Sequence, residues 1–359
     1  MHSNSFLLYG ANGYTGELIA RYAYEYNLQP ILAGRRKEVI EPLAIKLNLP
    51  YRIFDINDTA ALQTALKEVR VVIHAAGPFQ FTAKQMIEAC LQTNTHYLDI
   101  NGDIAVFEMI KRYDDAAKKA NIMLLPGAGF DVVPTDCLAL QLKNLLPDAV
   151  KLQLAFATLG GGISHGTATT MANKIGEGGA VRKKGKIIRQ PLGQEGMWVD
   201  FFTGSRASVK KIFVMSIPWG DISTAFFTTG IPDITTYTGI AKKTYNLLKG
   251  QALFNWLLQS SFVRNYIKKK INQRAAGPSD ERRSKATSLV WGQVINTAGQ
   301  TITARLCGPE GYTLTTHSAL IIVQKVLMGN FLPGYQTPAS AYGENLVMEI
   351  PGVQREIVS

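Results

Sequence analysis

The 359-residue sequence predicts an α/β protein with a doubly wound parallel sheet, followed by a second, mixed α/β domain. Short apolar segments alternate with helix-length amphipathic segments from Phe6 to about Leu146, which is the pattern of repeated βα units. A glycine-rich turn directly follows the first apolar segment. After Leu146 the chain has longer β-rich segments with more Gly and Thr, which indicates a second domain that contains a substantial sheet.

Strands alternate with helices along the first domain. The predicted strands are Phe6–Tyr9, Pro30–Ala33, Tyr51–Asp55, Val71–Ala75, His96–Asp99 and Met123–Leu125. The predicted helices are about Thr15–Tyr26, Glu38–Leu47, Thr59–Lys67, Ala83–Gln92 and Val106–Lys119. This alternation is the plan of a dinucleotide-binding domain.

The turn between the first strand and the first helix reads GANGYTG, residues 10–16. Gly10 permits a tight turn, Gly13 lets the backbone approach a pyrophosphate, and Gly16 lets the helix pack closely on the strand. The free N–H groups of the helix N-terminus would then face the phosphates. We therefore predict a Rossmann domain, although an ordinary strand-to-helix turn is the alternative. The predicted contacts to the dinucleotide are Gly10, Asn12, Gly13, Tyr14, Thr15 and Gly16.

Two arginines, Arg35 and Arg36, follow the second predicted strand, where an enzyme that uses NAD usually carries an acidic residue for the ribose 2′-hydroxyl. Guanidinium groups can hold a 2′-phosphate through paired charge-assisted hydrogen bonds, so the sequence favours NADP over NAD. The alternative is that both arginines are solvated residues at a helix start. Asp55, at the end of the third strand, either approaches the adenine or caps the next helix.

The fourth predicted strand is followed by the small residues Ala76, Gly77 and Pro78. Small residues at the carboxyl end of a central strand leave room for a ligand above the sheet, so these three are predicted to contact the cofactor. A plain strand-ending turn would also explain Gly77 and Pro78.

The second domain is predicted to follow the dinucleotide domain, with residues 1–146 in the first domain and 147–329 in a substrate-binding domain. Its β-rich segments are Lys151–Ala157, Ile212–Ile217, Ser223–Thr229, Leu289–Asn296 and Gln300–Cys307. The tail after Pro333 contains several Gly and Pro residues, so ordered but irregular chain is expected there. Residues 330–359 are expected to pack back on the first domain.

Several motifs beyond the glycine turn point to one family. They are ILAGRR, AAGPF, HYLDINGD, PGAGFDVVPTD, GPSDERRSKATSLVWGQV and QTPASAYGENLVMEIPGV, and together with GANGYTG they span nearly the whole chain. The chain resembles the saccharopine dehydrogenase-like oxidoreductases, most closely the branch that includes the trans-acting enoyl reductases. The resemblance implies a second domain that completes a substrate cleft, and hydride delivery to a lipid-like or polyketide-like double bond. No set of residues that would recognise the carboxylates of saccharopine is evident, so that substrate is not carried over.

Loops at the ends of parallel strands are where such a fold builds its site, and they hold two candidate catalytic residues, Tyr97 and Asp131. Asp131 could instead cap the helix that follows Pro134. In the second domain, His165 lies in a glycine-rich segment, where it is either an acid or base near neutral pH or a solvated turn residue. The sequence contains no metal-ligand cluster, so a metal-free mechanism is expected.

The net charge of +11 does not by itself identify a partner. The segment Tyr245–Arg274 is rich in Leu, Phe and Trp and then strongly basic, so it is either a helix in peripheral contact with an anionic membrane or a core helix with a solvated end. A basic run at 182–189 lacks aromatic residues, so nucleic acid is not expected. No secretion signal or spanning segment is evident, and the three separated cysteines fit a reducing cytoplasm.

The sequence therefore predicts a cytoplasmic NADP-dependent oxidoreductase that acts on a small-molecule or acyl, lipid-like substrate, most specifically an enoyl group. Membrane association and a homodimer are left open. Two alternatives are a lipid-associated binding or scaffold protein that keeps its nucleotide-binding domain, and a saccharopine-type amino-acid dehydrogenase.

Overall fold

A computed structural model describes residues 4–173, 178–204, 208–249 and 276–358 of the chain. The chain divides into two compact units, and each is built from two separate stretches of sequence. The first unit contains Met1–Val133 and Tyr312–Tyr342, and the second contains Pro134–Gly311 and Gly343–Ser359.

These units differ from the predicted domains at three places. The chain leaves the first unit at residue 133 rather than 146, residues 312–342 return to it, and residues 343–359 belong to the second unit. A return to the first unit was predicted from residue 330, and it begins earlier, at residue 312, with a helix over residues 311–327 that carries no charged residue until Lys325.

The strands lie along the chain in the following order. They are β1 Ser5–Tyr9, β2 Gln29–Gly34, β3 Tyr51–Ile53, β4 Val71–His74, β5 His96–Asp99, β6 Met123–Leu125, β7 Lys151–Leu159, β8 Gly179–Lys183, β9 Lys186–Gln190, β10 Gly196–Phe202, β11 Val209–Ile217, β12 Asp233–Gly239, β13 Thr287–Ile295, β14 Thr301–Pro309, β15 Gly334–Tyr335 and β16 Gln354–Val358.

The helices in the described residues alternate with these strands. They are α1 Tyr14–Tyr22, α2 Lys37–Leu47, α3 Thr59–Leu66, α4 Phe79–Thr93, α5 Ile104–Lys111, α6 Asp114–Lys119, α7 Val133–Leu145, α8 His165–Asn173, α9 Asp221–Thr229, α10 Lys242–Lys249, α11 Asp280–Ser284, α12 Gly311–Leu327 and α13 Pro338–Tyr342. Short 3-10 helices cover Ala23–Tyr26 and Leu346–Glu349.

The sheet of the first unit has the order β3-β2-β1-β4-β5-β6-β15, and all its neighbouring pairs are parallel. Strands β1 and β4 lie at its centre, and Phe6, Leu7 and Leu8 of β1 are completely buried. The sequences of β1 and β4 are almost continuously apolar, because helices cover both faces of a parallel sheet. The predicted Rossmann sheet is confirmed, with β15 as an added edge strand.

The sheet of the second unit is mixed, with the order β10-β11-β12-β7-β13-β14-β16. Strands β12 and β7 run parallel, whereas the other neighbours along this path are antiparallel. The hairpin of β8 and β9 joins the sheet through β12. A hydrophobic core of the second unit includes Phe201, Val214, Leu289 and Trp291. The predicted second, mixed α/β domain is confirmed as a fold class.

The segment Ser223–Thr229, predicted as a strand, is wrong, because it lies in helix α9. Thr and Phe favour strands in isolation, but the Thr229 hydroxyl donates 2.6 Å to the carbonyl of Ala225, four residues earlier, and Ile222 and Ala225 are fully buried. Gly230, with φ of 68°, ends the helix in the left-handed conformation.

The tail is also more regular than predicted. It contains α13, and β16 extends the second sheet by pairing with β14 at Arg355 and Leu306. That pairing satisfies backbone groups that would otherwise be exposed at the edge of β14, so the end of the chain belongs to the second unit. The predicted membrane-contact segment Tyr245–Arg274 begins in α10, and its residues after 249 lie outside the described part of the chain.

Candidate functional site

The candidate site lies at the carboxyl edge of the parallel sheet. Because every pair in this sheet is parallel, the residues that end β1, β2, β4 and β5 lie at one edge. The chain order reverses between β1 and β4, which is the position where open α/β sheets leave a crevice for a ligand.

The glycine turn crosses this crevice. Gly10 has φ of +90°, and its N–H donates to the Ala33 carbonyl at 2.8 Å. A β-carbon on Gly10 would lie 2.7 Å from both the carbonyl carbon of Ala75 and the nitrogen of Ala76. The loop after β1 therefore passes the loop after β4 at a distance that only glycine permits, and the predicted site residues Gly10 and Ala76 are brought together.

The N-terminus of α1 is built as an anion site. Gly13 is its N-cap, and no side chain caps the helix. The Gly13 N–H donates to the Gly10 carbonyl at 3.0 Å, which closes the turn. A β-carbon on Gly16 would lie 2.9 Å from the α-carbon of Ala11, so the helix begins directly against the turn. A helix start with uncapped N–H groups favours a phosphate through both hydrogen bonds and the helix dipole.

Asn12, Tyr14 and Thr15 are partly buried in the same turn. A β-carbon on Gly34 would lie 3.4 Å from the Asn12 Oδ1, so the amide of Asn12 lies beside the end of β2. The Tyr14 ring packs edge-on against Tyr312, with 4.9 Å between centroids, which joins the turn to the start of α12.

Arg35 and Arg36 are exposed directly after β2, and none of the ion pairs between described residues includes either of them. Burial raises the pKa of Tyr9, at the end of β1, to about 12; the Asp55 carboxylate adds to this rise and the Arg35 guanidinium opposes it. Arg35 and Asp55 therefore both lie within electrostatic reach of Tyr9. Two uncommitted guanidiniums at this strand end fit the predicted 2′-phosphate contact.

The prediction that Asp55 could cap the next helix is wrong. Helix α3 is capped by Asp58, whose carboxylate accepts from the Ala61 N–H at 3.0 Å. Asp55 instead orders the loop before it, because its Oδ1 accepts from the backbone and side-chain N–H groups of Asn57 at 2.9 and 2.8 Å. Its contact with an adenine stays a prediction.

Gly77 and Pro78 are exposed and Ala76 is partly buried in the loop between β4 and α4. The Thr82 hydroxyl donates to the Ala76 carbonyl at 2.9 Å and so holds this loop to the first turn of α4. Phe81 lies on that turn with 64% of its side chain exposed. The loop thus presents small residues and one apolar ring at the carboxyl edge of the sheet.

A buried polar chain lies beneath the edge and consists of His74, Tyr97 and Asp99. The Tyr97 hydroxyl donates to the Asp99 carboxylate at 2.7 Å, so the His74 Nδ1, 3.3 Å from the same hydroxyl, carries the proton and donates to it. Burial lowers the pKa of His74 to about 3 and raises the pKa of Asp99, and it raises the pKa of Tyr97 well above its usual value. All three side chains are fully buried.

Asp99 ties together the loops that follow β5 and β6. Its Oδ1 accepts from the Asn101 side chain at 2.7 Å and from the Gly127 N–H at 2.8 Å. Tyr97, predicted as a catalytic residue, thus has a structural hydrogen bond and no exposed surface. Its catalytic role gains no support from this position.

Asp131, the second predicted catalytic residue, is partly buried in the loop between β6 and α7. A β-carbon on Gly102 would lie 2.6 Å from the Asp131 Oδ2, so the carboxylate rests against the backbone after β5. Helix α12 holds the same loop, because the Thr315 hydroxyl accepts from the Phe130 N–H at 2.9 Å and the Ser318 hydroxyl donates to the Ala128 carbonyl at 2.7 Å. Asp131 therefore lies in a well-fixed loop at the carboxyl edge.

His165, the third predicted catalytic residue, is the first residue of α8 in the second unit and is partly buried. Its backbone N–H donates to the Ala276 carbonyl at 2.9 Å. Asp131 belongs to the first unit and His165 to the second, and each is described within its own unit.

Sequence reasoning missed a polar cluster in the second unit. The Tyr237 hydroxyl donates to Glu195 at 2.6 Å and accepts from the Gln153 amide at 2.9 Å, and these residues line a cavity of about 400 Å³. Burial raises the pKa of Tyr237, and the Glu195 carboxylate adds to the rise. The three residues come from separate parts of the chain, so no spacing in the sequence could indicate them.

Within the described ranges, no set of three or more His, Cys, Asp or Glu side chains is arranged to hold a metal ion. No helix in those ranges combines the length and the apolar character needed to cross a bilayer.

The parallel sheet, its switch point and the glycine turn define a dinucleotide-binding protein of the Rossmann class. Residues 6–125 match the family described as the saccharopine dehydrogenase NADP binding domain. This part of the chain is thus similar to the domain that the motifs predicted, and the NADP prediction agrees with it.

Known proteins show the same relation. The chain is 27% identical to the saccharopine dehydrogenase-like oxidoreductase of Mus musculus over 49% of its length and 47% of the relative. It is 27% identical to the trans-acting enoyl reductase of Mycobacterium bovis over 38% of its length and 34% of the relative. Apo saccharopine dehydrogenase (L-Glu forming) from Saccharomyces cerevisiae has the same fold, with a TM-score of 0.64, 14% identity and coverage of 99% of this chain and 100% of that one. The match spans about half the length of the mouse relative.

Proposed function

We propose that this protein is an NADP-dependent oxidoreductase that transfers hydride between the nicotinamide and a hydrophobic acyl-type substrate, most specifically an enoyl group. The observation that supports NADP binding is the crevice where Gly10 passes Ala76, with the uncapped start of α1 on one side and Arg35 nearby. A pyrophosphate bound there would meet free backbone N–H groups, and a 2′-phosphate would meet the guanidiniums.

The residues of the glycine turn fit the group that the family implies. Side chains at Gly10 or Gly16 would collide with neighbouring backbone, so the turn leaves its own backbone as the contact surface. When bound, the nicotinamide supplies or accepts the hydride, and the protein binds and orients the cofactor and excludes competing reactions.

The proton that accompanies hydride transfer requires a group at the carboxyl edge. We assign this role to Asp131, because its carboxylate is fixed against Gly102 and Asp131 is partly buried at that edge. The Tyr97 hydroxyl, by contrast, already donates its hydrogen bond to Asp99. A carboxyl group that reaches the reacting atoms can hold or deliver the proton as a general acid or base.

Two features support a hydrophobic substrate. Phe81 exposes 64% of an apolar ring on the first turn after the cofactor loop. Exposed aromatic rings beside a polar edge are typical of sites that orient an apolar ligand. The mycobacterial relative, whose name states an enoyl reductase, adds similarity over about a third of its length.

The test has two parts with the purified chain: oxidation of NADPH with medium-chain and short-chain enoyl thioesters, and formation of NADPH from NADP with saccharopine. Oxidation of NADPH in the presence of an enoyl thioester supports the proposal. Enoyl thioesters whose acyl chain reaches Phe81 should bind more weakly to the variant Phe81→Ser. Ile45→Ser, which changes a side chain 72% exposed on α2, is the matched control and should behave as the unchanged protein.

Two other outcomes would overturn the substrate assignment. Turnover with saccharopine alone would identify an amino-acid dehydrogenase. Nucleotide binding without hydride exchange to any acceptor, together with liposome binding, would identify a lipid-associated protein that keeps its nucleotide domain.

A further inference from the structure

A cleft of about 430 Å³ lies within the second unit. The ends of β7 and β12, Trp198 of β10, the first half of β11 and the start of α10 form its walls. Ala157, Ile212 and Gly239 contribute an apolar surface. A β-carbon on Gly239 would lie 2.8 Å from the β-carbon of Ala157, so the absence of a side chain at this position keeps the surface open.

Three lysines line the cleft, Lys210 and Lys211 of β11 and Lys242 of α10, and no lining residue is acidic. All three are exposed, and none forms an ion pair with another described residue. Asp200 is the cross-strand neighbour of Lys211, and it is an exposed residue that does not line the cleft. The lining of the cleft therefore carries three positive charges and no carboxylate, and Asp200 lies beside Lys211 outside the lining.

An aromatic wall lies beside these charges. Trp198 is 55% exposed and packs edge-on against Phe213, with 5.4 Å between ring centroids. The Lys242 ammonium lies over the Phe213 ring at 4.0 Å. The same ammonium lies 5.1 Å from the centre of the Tyr245 ring, so cation–π contacts with Phe213 and Tyr245 hold this lysine in position. Its charge stays accessible, because an ammonium has hydrogens that the rings do not use.

We propose that this cleft binds one molecule of an anionic amphiphile, with the anionic head against the lysines and the adjoining apolar chain against Trp198, Ile212 and Ala157. An alkyl phosphate and a fatty-acid carboxylate share this chemistry. An anionic head would complement the lysines and an alkyl chain would cover the exposed indole, so a free inorganic anion or an uncharged detergent would match only half of the site. The proposal does not rest on the proposed hydride transfer.

The test uses the full chain without nucleotide and dodecyl phosphate below its micelle concentration, with calorimetry for affinity and tryptophan fluorescence as a second readout. Saturable binding is expected, with a fluorescence change that is absent in Trp198→Phe. The double variant Lys210→Glu/Lys211→Glu should weaken binding by about tenfold, because two favourable charge contacts become repulsive. The control Lys186→Glu/Arg189→Glu changes the same charge at exposed positions of β9 and should leave the affinity unchanged.

A second variant tests the apolar half without altering charge. Thr158→Trp places a large ring at an exposed lining position of β7 and should block the cleft. Equal weakening of dodecyl phosphate binding by Lys210→Glu/Lys211→Glu and by Lys186→Glu/Arg189→Glu would overturn the proposal. It would also be overturned if inorganic phosphate or dodecyl maltoside bound with the same affinity as dodecyl phosphate. Binding only to anionic vesicles, and not to the monomeric amphiphile, would also overturn it in favour of a membrane surface. NADPH titration of the same samples keeps this outcome separate from the fate of the proposed function.

Discussion

A β-carbon on Gly10 would lie 2.7 Å from the backbone nitrogen of Ala76. These two residues follow the central strands β1 and β4, so their close approach sets the width of the crevice at the switch point of the sheet. The same contact explains why a glycine with φ of +90° stands at the first position of the turn. The close approach of these two loops therefore explains why positions predicted to contact the dinucleotide lie together.

We predict that Gly10→Ala destabilises the first unit and weakens NADPH binding by about tenfold or more, because the loops after β1 and β4 must separate. The matched control is Gly329→Ala, which has φ of +83° in the same unit but nothing within 4 Å of its added β-carbon. The control carries only the backbone strain of about 1–2 kcal/mol. Thermal unfolding and a nucleotide titration would measure both effects, and equal losses in the two variants would contradict the crevice geometry.

The first unit was largely predictable because its signals are local. An apolar strand, a glycine turn and a helix follow one another in β1 and α1, and the alternation repeats through β6. The second unit was harder, because its elements depend on contacts that are distant in sequence. Helix α9 reads as a strand until burial of Ile222 is known, and β16 exists only because β14 has an edge to pair with.

We predict that His74 makes the protein less stable in acid. Burial lowers the pKa of His74 in the folded state to about 3, below its ordinary value of 6.5, so the unfolded chain takes up the proton first. The stability of the neutral, buried form is therefore complete above 6.5 and is lost as the pH falls toward 3. The slope for one such group approaches about 1.4 kcal/mol per pH unit.

Denaturant unfolding at several pH values would measure this slope. His74→Asn should flatten it between pH 6.5 and 3 relative to the unchanged protein. An unaltered slope in His74→Asn would show that another buried group controls the acid transition.

We predict that Tyr237→Phe lowers the free energy of unfolding by about 1–3 kcal/mol, because it leaves the buried Gln153 amide and the Glu195 carboxylate without their shared hydroxyl. Tyr24→Phe is the control, since Tyr24 is 76% exposed and should change stability by less than about 0.5 kcal/mol. Chemical denaturation compares them, and equal stabilities would mean that water replaces the lost hydroxyl.

We predict that Asp131→Asn lowers the turnover of the enzyme by about a hundredfold while NADPH affinity stays within about twofold, because the amide keeps the shape of the side chain but cannot exchange the proton. Asp103→Asn is a control from the same edge, where Asp103 caps α5 and accepts from the Ala105 N–H at 2.9 Å. It should affect stability more than turnover. Unchanged turnover in Asp131→Asn would remove Asp131 from the mechanism.

The candidate site was predictable only where one segment of chain builds it. The glycine turn and the arginines after β2 are such segments, because both follow directly from strand ends. The role of Tyr97 was not predictable, since the alternation of residues along β5 does not show that the Tyr97 hydroxyl donates to Asp99. The cluster of Gln153, Glu195 and Tyr237 required the register of the second sheet, which the sequence does not specify.

The most direct test of the central claim is a titration of the purified protein with NADPH and with NADH, repeated with Arg35→Ala/Arg36→Ala. We expect tighter binding of NADPH, and we expect the variant to lose about tenfold or more for NADPH with little change for NADH, because charge-assisted hydrogen bonds to the 2′-phosphate are removed. Equal weakening of both nucleotides would contradict the assignment of the arginines, and binding of neither nucleotide would contradict the account as a whole.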